Sequence, residues 1–193
     1  MLRITQSLLS AWDYVYKKDD GYEEFLAALN REKKPPTQAM LDGRRFEGLV
    51  NSALDGIQIP EDNDWYSPVM QLSQYLSGSQ QQVEIRRNIE VDGVQIQLHG
   101  ILDFLRSGII YDTKFSKTYK VGKYLDSPQH PMYFALVPEA YEFQYLICDG
   151  TYLYRETYRP DDTEPIEKEI RLFMNFLEQR NLIDIFVKKW IAE

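Results

Sequence analysis

Two aspartates and a lysine, Asp103, Asp112 and Lys114, have the types and spacing best suited to chemistry in this chain. They lie in two apolar runs on either side of Ser107-Gly108, a pattern that predicts two strands joined by a tight turn. With a two-residue turn, Asp103 faces Asp112, and Lys114 points to the same side because side chains alternate along a strand. Two carboxylates and an ammonium group on one patch suit a hard cation, since Mg²⁺ is usually held by one or two carboxylates.

Two alternatives stay open for this pair of aspartates. In the first, Asp103 and Asp112 are solvated positions on a half-exposed sheet, although like charges that face each other destabilise a sheet unless something neutralises them. In the second, a three-residue turn shifts the pairing by one residue and sends the two carboxylates to opposite faces.

The composition predicts one globular, cytoplasmic domain. The chain has 193 residues, of which 44% are hydrophobic and 27% are charged. No apolar run approaches the roughly 20 residues of a membrane helix, and the first residues lack a secretory hydrophobic region. The single cysteine, Cys148, excludes a cysteine-ligated zinc site or iron–sulfur cluster within one chain.

The charge is unevenly distributed along the sequence. A net charge of −8 argues against a general nucleic-acid-binding surface. Between Phe104 and Lys123, however, five basic residues accompany one acidic residue, next to the carboxylate patch where a phosphate backbone would have to lie. A solvated, lysine-rich loop explains the same segment equally well. The basic residues are Arg106, Lys114, Lys117, Lys120 and Lys123.

The elements that must position these residues follow from hydrophobic periodicity and turn signals. On the middle strand, Ile96, Leu98, Leu102 and Phe104 should share the core face. Gly43 interrupts a helix, which suggests that something packs close to the backbone there. The pattern predicts helices over 2–17, 25–29, 37–54, 69–76 and 127–137, strands over 82–90, from 94, from 109, over 141–147 and over 152–158, and a final helix capped by 161–163 and interrupted at Asn181.

Three short motifs, in this order, resemble the PD-(D/E)XK nuclease superfamily and, within it, the RecB-like branch of recombination exonucleases and phage nucleases. They are Gly100-x-x-Asp103, Asp112-x-Lys114 and Gln129-x-x-x-Tyr133. Phe115 departs from the pattern, because the branch often has a small polar residue after the lysine, and this puts the substrate in doubt. The resemblance implies an α/β (α+β) restriction-endonuclease-like core in the order αβββαββα, with a mixed central sheet flanked by helices. It also implies one domain over 1–193, with a helical extension over 1–36, the core over 37–160 and a C-terminal helix over 161–193.

The resemblance also implies a set of site residues. Glu47 would join the two aspartates in binding Mg²⁺ or Mn²⁺, although the sequence alone would not single it out and also allows a surface carboxylate paired with Arg44. Gln129 and Tyr133 would bind near the phosphate, although spacing alone favours a capping glutamine and a core tyrosine. The implied metal ligands are Glu47, Asp103, Asp112 and the carbonyl of Thr113, the implied catalytic lysine is Lys114, which would orient or deprotonate water, and the implied substrate contacts are Gln129, Tyr133, Lys117 and Lys120.

The function implied by the resemblance is Mg²⁺-dependent hydrolysis of DNA, with an exonuclease favoured over an endonuclease and a role in phage or mobile-element recombination. DNA is the expected partner; a single-strand annealing recombinase and a ring-shaped homo-oligomer are open possibilities, and no membrane or iron–sulfur cluster is expected. Two alternatives remain. One is a catalytically inactive DNA-binding or regulatory module with the same fold, and the other is a structural domain whose tyrosines and acidic surface bind a protein partner.

Overall fold

The computed structural model describes residues 1–192, which form a six-stranded mixed sheet flanked by helices. This confirms the predicted α/β class, and the order from α3 to α6 contains the expected αβββαββα arrangement. In chain order the elements are β1 (Leu2–Thr5), α1 (Gln6–Lys18), α2 (Tyr22–Leu29), α3 (Gln38–Leu54), α4 (Tyr66–Leu76), β2 (Gln80–Val91), β3 (Val94–Arg106), β4 (Ile109–Phe115), α5 (Gln129–Leu136), β5 (Glu142–Cys148), β6 (Leu153–Tyr158), a 3₁₀ turn (Pro160–Asp162), α6 (Ile166–Gln179) and α7 (Ile183–Lys189).

The long strand β3 organises the sheet. Strand β2 runs antiparallel along one edge of β3 for almost its whole length. On the other edge, β1 pairs in parallel with the first half of β3, and β4 pairs antiparallel with its last three residues. Strand β4 then pairs in parallel with β5, and β5 pairs antiparallel with β6. One edge of β3 therefore has two partners, β1 along its first half and β4 at its end.

Two tight hairpin turns fix the register of β2, β3 and β4. Asp92 and Gly93 have φ values of 50° and 80°, and Ser107 and Gly108 have φ values of 50° and 78°. Positive φ at both central residues is the requirement of a type I′ turn, whose twist matches that of the flanking strands. Arg106 consequently pairs with Ile109, as the two-residue turn predicts.

Two hydrophobic cores cover opposite faces of β4 and β5. The larger core joins these strands to α1, α2, α5, α6 and α7, and the smaller one joins them to α3 and α4. Neighbouring residues of β5 serve different cores, since Tyr145 packs in the larger and Leu146 in the smaller. The strands that carry the predicted site residues are thus covered on both faces, which makes a buried charge such as that of Asp112 costly unless it is compensated.

The beginning of the chain differs from the prediction. Residues 2–17 were expected to form one helix, but Leu2–Thr5 is a strand and the helix begins after it, with the hydroxyl of Thr5 accepting a hydrogen bond from the amide of Leu8. Thr5 is therefore the cap, and the serines that could have capped a helix here, Ser7 and Ser10, lie inside α1. Parallel pairing with a strand some 90 residues away leaves no local signal in four residues. Residues 2–29 are therefore part of the sheet and the larger core, whereas the prediction made 1–36 a helical extension.

Two further expectations about helices are wrong. Nothing lies within 4 Å of a Cβ built on Gly43, so no element packs against the α3 backbone there. Asp161 and Asp162 form a 3₁₀ turn instead of a helix cap, and α6 starts only after Pro165. The predicted interruption at Asn181 is confirmed, since this residue has a φ of 55° between α6 and α7. The last residue of the predicted domain, Glu193, lies outside the described residues.

No helix within residues 1–192 combines the length and the apolar character needed to cross a membrane.

Candidate active site

The candidate site lies where β3 and β4 separate. The ladder between these strands runs from Arg106–Ile109 to Phe104–Tyr111 and then stops. Asp103 and Asp112 would form the next pair. Instead, Oδ2 of Asp103 accepts hydrogen bonds from the Thr113 amide at 2.9 Å and from the Thr113 hydroxyl at 3.2 Å. A carboxylate therefore takes the position that a main-chain acceptor would occupy in a continued ladder.

The other edge of Asp103 is also irregular. The β2–β3 ladder omits the pair Gln82–Asp103, and Gln82 has a φ of 49°, a left-handed conformation that is uncommon for a residue other than glycine. Leu102 packs in the larger core and Phe104 in the smaller one. The prediction that these two side chains share a face is wrong, because the local distortion at Asp103 redirects the strand. Such distortions often re-aim side chains next to functional sites.

On β4, Asp112 and Lys114 form a close ion pair. The Nζ atom of Lys114 lies 2.6 Å from Oδ2 of Asp112, and the lysine side chain is 29% exposed against 3% for the aspartate. Among the described residues, Oδ2 has no aligned hydrogen-bond partner, so the contact is a charge–charge contact in an otherwise buried position. The other oxygen, Oδ1, accepts a hydrogen bond of 2.5 Å from the side-chain amide of the buried Gln129.

The electrostatics of the site follow from this crowding. Burial, and then the charge of Asp112, raise the pKa of Asp103 well above its ordinary value, while the nearby Lys114 opposes the shift. For Lys114, burial favours the neutral form, but the charges of Asp112 and Asp103 outweigh it and raise the pKa. Lys114 therefore keeps its proton in this arrangement, and Asp103 is the carboxyl group whose ionised form is disfavoured.

Glu47 reaches the same region from α3. Its neighbour Phe46 is fully buried in the smaller core and fixes this part of the helix. Glu47 is half-buried, and its charge is among those that raise the pKa of Asp103. Its Oε1 atom accepts a hydrogen bond of 2.9 Å from the side chain of Gln82. The prediction placed Glu47 with the aspartates, and the structure brings it to their margin, bonded to Gln82.

The donor set can be compared with the needs of a divalent cation. Within residues 1–192, no three His, Cys, Asp or Glu side chains are grouped so that they could hold a metal ion. The chemistry of Asp103 and Asp112 nevertheless fits Mg²⁺ or Mn²⁺, which take oxygen ligands, and Mg²⁺ usually retains several waters beside one or two carboxylates. The buried Oδ2 of Asp112, without an aligned donor, is the atom best placed for such an ion. Thr113 contributes its amide and hydroxyl to Asp103, whereas its predicted role used the main-chain carbonyl.

Helix α5 supplies two more of the predicted site residues. Gln129 bonds to Asp112, as described above. Tyr133 is buried, and its hydroxyl donates to the carbonyl of Ile101 at 2.7 Å. A Cβ on Gly100 would lie 2.7 Å from Cε1 of Tyr133, so the glycine of the Gly100-x-x-Asp103 motif lets the tyrosine ring lie against β3. In this conformation Tyr133 joins α5 to β3, and its predicted contact with substrate stays a prediction.

The predicted basic segment does not form one surface. Arg106 lies at the turn end of the hairpin, where its guanidinium donates to the carbonyls of Tyr75 and Ser77. The other lysines lie in or next to the segment 116–128, here called the connecting loop, which joins β4 to α5. Lys117 pairs with Asp42 of α3 at 2.9 Å, and Lys120 is exposed.

Two residues near the site were not predicted from the sequence. Gln82 donates a hydrogen bond to Glu47 and lies opposite Asp103. Its positive φ cannot be predicted from the residues around it in the sequence. Tyr124 of the connecting loop stacks on Tyr145 at a centroid distance of 4.6 Å, and Lys114 Nζ lies 5.9 Å from the centroid of that same Tyr145 ring. A tyrosine inside a turn-rich, lysine-rich segment carries no periodicity that would single it out.

Comparisons with known proteins support the fold and no more. No family model matches the chain, and no curated protein matches it. Among solved structures, the crystal structure of SSO0001 matches with a TM-score of 0.56 and 15% sequence identity, over 91% of this chain and 76% of that chain. At this identity the similarity concerns the arrangement of helices and strands, so the activity has to be argued from the site itself.

Proposed function

We propose that the protein is a nuclease that hydrolyses phosphodiester bonds in DNA with the help of Mg²⁺ or Mn²⁺. The observation that carries the proposal is the meeting of Asp103, Asp112 and Lys114 at the point where β3 and β4 part. Burial and the charge of Asp112 disfavour the ionised form of Asp103, and a bound cation would favour it. A merely structural sheet has no need for this arrangement.

Each residue has a distinct part in the proposed reaction. Asp103 and Asp112 provide oxygen ligands, Gln129 restrains Oδ1 of Asp112, and Glu47 approaches from α3. When bound, a divalent cation would make water a better nucleophile at neutral pH and offset the charge that develops on phosphorus. Lys114 keeps a proton on Nζ and donates it in a hydrogen bond to the attacking water or to a phosphate oxygen in the transition state.

The remaining predicted residues concern the substrate. Lys117 and Lys120 lie in the connecting loop next to β4, where they would contact backbone phosphates. An exonuclease is favoured over an endonuclease only by the family resemblance, and so are a recombination role, a single-strand annealing partner and a ring-shaped oligomer. The expected cytoplasmic location stays a prediction as well.

The test is cleavage of linear duplex, linear single-stranded and closed circular DNA with Mg²⁺ and with EDTA. We expect Mg²⁺-dependent degradation of linear DNA, reduced about 100-fold or more in Asp112→Asn, because a ligand is lost. Asp92→Asn is the matched control. Asp92 lies in the β2–β3 turn, away from the site, and pairs with Arg171 of α6. No cleavage by the wild-type protein, or equal cleavage by Asp112→Asn, would refute the proposal. Metal-dependent DNA binding without cleavage would favour the inactive DNA-binding module instead.

A further inference from the structure

The connecting loop is a long segment without helix or strand that begins directly after the site strand β4. It contains Tyr124, which stacks on Tyr145, and the basic residues Lys117, Lys120 and Lys123. Loops of this length inside a compact fold are uncommon and are usually either functional or disordered. This loop has side-chain anchors, and the strongest of them comes from the distant strand β6.

Glu156 of β6 is that anchor. Its side chain is buried, at 7% exposure, and accepts four hydrogen bonds. Oε1 accepts from the Tyr119 hydroxyl at 2.8 Å and from the Gly122 amide at 2.9 Å. Oε2 accepts from the Tyr124 amide at 3.3 Å and from the Tyr158 hydroxyl at 2.6 Å. Three of the four donors belong to the connecting loop, so the middle of the loop is built around this carboxylate.

Three other polar side-chain contacts involve the loop, and two of them act at its ends. Lys17 of α1 donates to the carbonyl of Asp126 near the end of the loop, and Lys117 pairs with Asp42 near its start. Lys123 donates to the hydroxyl of Ser116 at 2.6 Å. Lys123 lies between Gly122 and Tyr124, so its bond adds one side-chain restraint to that turn, beside the stacking of Tyr124 on Tyr145. Glu156 accepts from the main-chain amides of both Gly122 and Tyr124, and it thereby ties the backbone of the turn to β6.

The turn matters because it lies against the candidate site. The rings of Tyr124 and Tyr145 are stacked with an interplanar angle of 21°. Lys114 lies on the same Tyr145 ring, at 5.9 Å from its centroid. Displacing the turn would therefore uncover Tyr145 and change the surroundings of Lys114, while the loop lysines would lose their fixed positions.

We propose that Glu156 is a positioning residue of the candidate site, which holds the connecting loop so that Tyr124 lies beside Lys114 and the loop lysines face the substrate. Glu156 itself touches neither the aspartates nor Lys114 in the contacts described above, and it acts through the loop. The inference rests on the proposed function for its catalytic part, whereas the anchoring part can be measured without DNA.

Limited proteolysis tests the anchoring. Trypsin cuts after lysine, and the connecting loop contains Lys117, Lys120 and Lys123. We expect Glu156→Ala to be cut in this loop about tenfold faster than the wild-type protein, because local opening exposes it. Glu156→Gln keeps an acceptor for Gly122 and should be intermediate. Glu142→Ala is the matched control, since this half-buried carboxylate on β5 bonds Gln144 and pairs with Arg159 rather than the loop. Unfolding temperatures of all variants show whether the rest of the fold is intact.

Steady-state cleavage of linear DNA tests the catalytic part. For Glu156→Ala we expect both a higher KM, because the loop lysines are no longer fixed, and a lower kcat, with kcat/KM about tenfold or more below wild type. Glu156→Gln should restore part of this loss and Glu142→Ala should match wild type.

The outcomes separate the two proposals. If the wild-type protein cleaves DNA but Glu156→Ala is cut by trypsin no faster, or cleaves DNA as well as wild type, the positioning role is wrong and the nuclease proposal survives. If the wild-type protein does not cleave DNA, the nuclease proposal and the catalytic part of the positioning role fail, whereas faster proteolysis of Glu156→Ala would still support the anchoring of the loop by Glu156.

Discussion

The two ends of the β3–β4 hairpin differ in how their backbone groups are hydrogen-bonded. At the turn end, Ser107 and Gly108 adopt the backbone of a type I′ turn and the ladder is regular from Arg106–Ile109 to Phe104–Tyr111. At the open end, pairing stops at Asp103 and Asp112, and a side-chain carboxylate bonds the opposite strand. At the turn end the backbone groups of the two strands are paired. At the open end the ladder hydrogen bonds are missing, and the two acidic side chains Asp103 and Asp112 lie near each other. The turn end therefore specifies the fold, and the irregular open end is where the proposed function places the ligand.

The largest expected effect distinguishes basic residues at the two ends. Lys114→Ala should lower the rate of DNA cleavage by about 100- to 10,000-fold, the range usual for loss of a proton donor or charge-stabilising group in the transition state. Arg106→Ala, at the turn end, removes hydrogen bonds to Tyr75 and Ser77 and should lower the unfolding temperature while kcat stays near wild type. Equal losses of kcat in the two variants would contradict the division between the ends.

A smaller effect, on stability, distinguishes Gly100, which lies against other side chains, from Gly43, which does not. Gly100→Ala would place a Cβ 2.7 Å from Tyr133 and 2.8 Å from Leu136, and we expect it to lower the free energy of unfolding by about 1–3 kcal/mol. In contrast, Gly43→Ala in α3 meets nothing within 4 Å and should raise the free energy of unfolding by about 0.5–1 kcal/mol. Denaturant unfolding of both variants measures the opposite signs. A destabilised Gly43→Ala would show that α3 has a close neighbour after all.

A third effect, similar in size to that of Gly43→Ala, concerns the like charges themselves. Because the pKa of Asp103 is raised in the folded protein by burial and by Asp112, its ionised form costs stability as the pH rises through that folded value. Without metal at neutral pH, Asp103→Asn should therefore raise the free energy of unfolding by about 1 kcal/mol. The difference from wild type should vanish below about pH 4, where the unfolded chain is protonated too. A destabilised Asp103→Asn at neutral pH would show that the aspartate is structurally required.

The sequence predicts the features of the hairpin that depend on local chemistry. Ser107-Gly108 and Asp92-Gly93 determine the two turns, and both turns are confirmed because turn type is a property of a few adjacent residues. The predicted alternation holds for Ile96, Leu98 and Leu102, which share the larger core, and fails beyond Asp103, where Phe104 packs in the smaller core.

The features that the sequence does not predict depend on distant partners. The anchor of the connecting loop joins Glu156 to donors 32 to 37 residues away. Gln82 has its positive φ at the position opposite Asp103, where the β2–β3 ladder is interrupted. Strand β1 pairs with β3, a strand far away in the sequence. Local propensity is a weak guide wherever tertiary contacts decide the backbone conformation.

Titration of the protein with Mg²⁺, followed by thermal or denaturant unfolding, tests most directly whether the open end of the hairpin is a cation site. At a concentration of 100 times Kd, Mg²⁺ should stabilise the wild-type protein by about 2.7 kcal/mol. Asp103→Asn and Asp112→Asn should show little or no such gain, while Asp92→Asn should behave as wild type. A wild-type protein that Mg²⁺ does not stabilise, or equal stabilisation of all four proteins, would contradict the account.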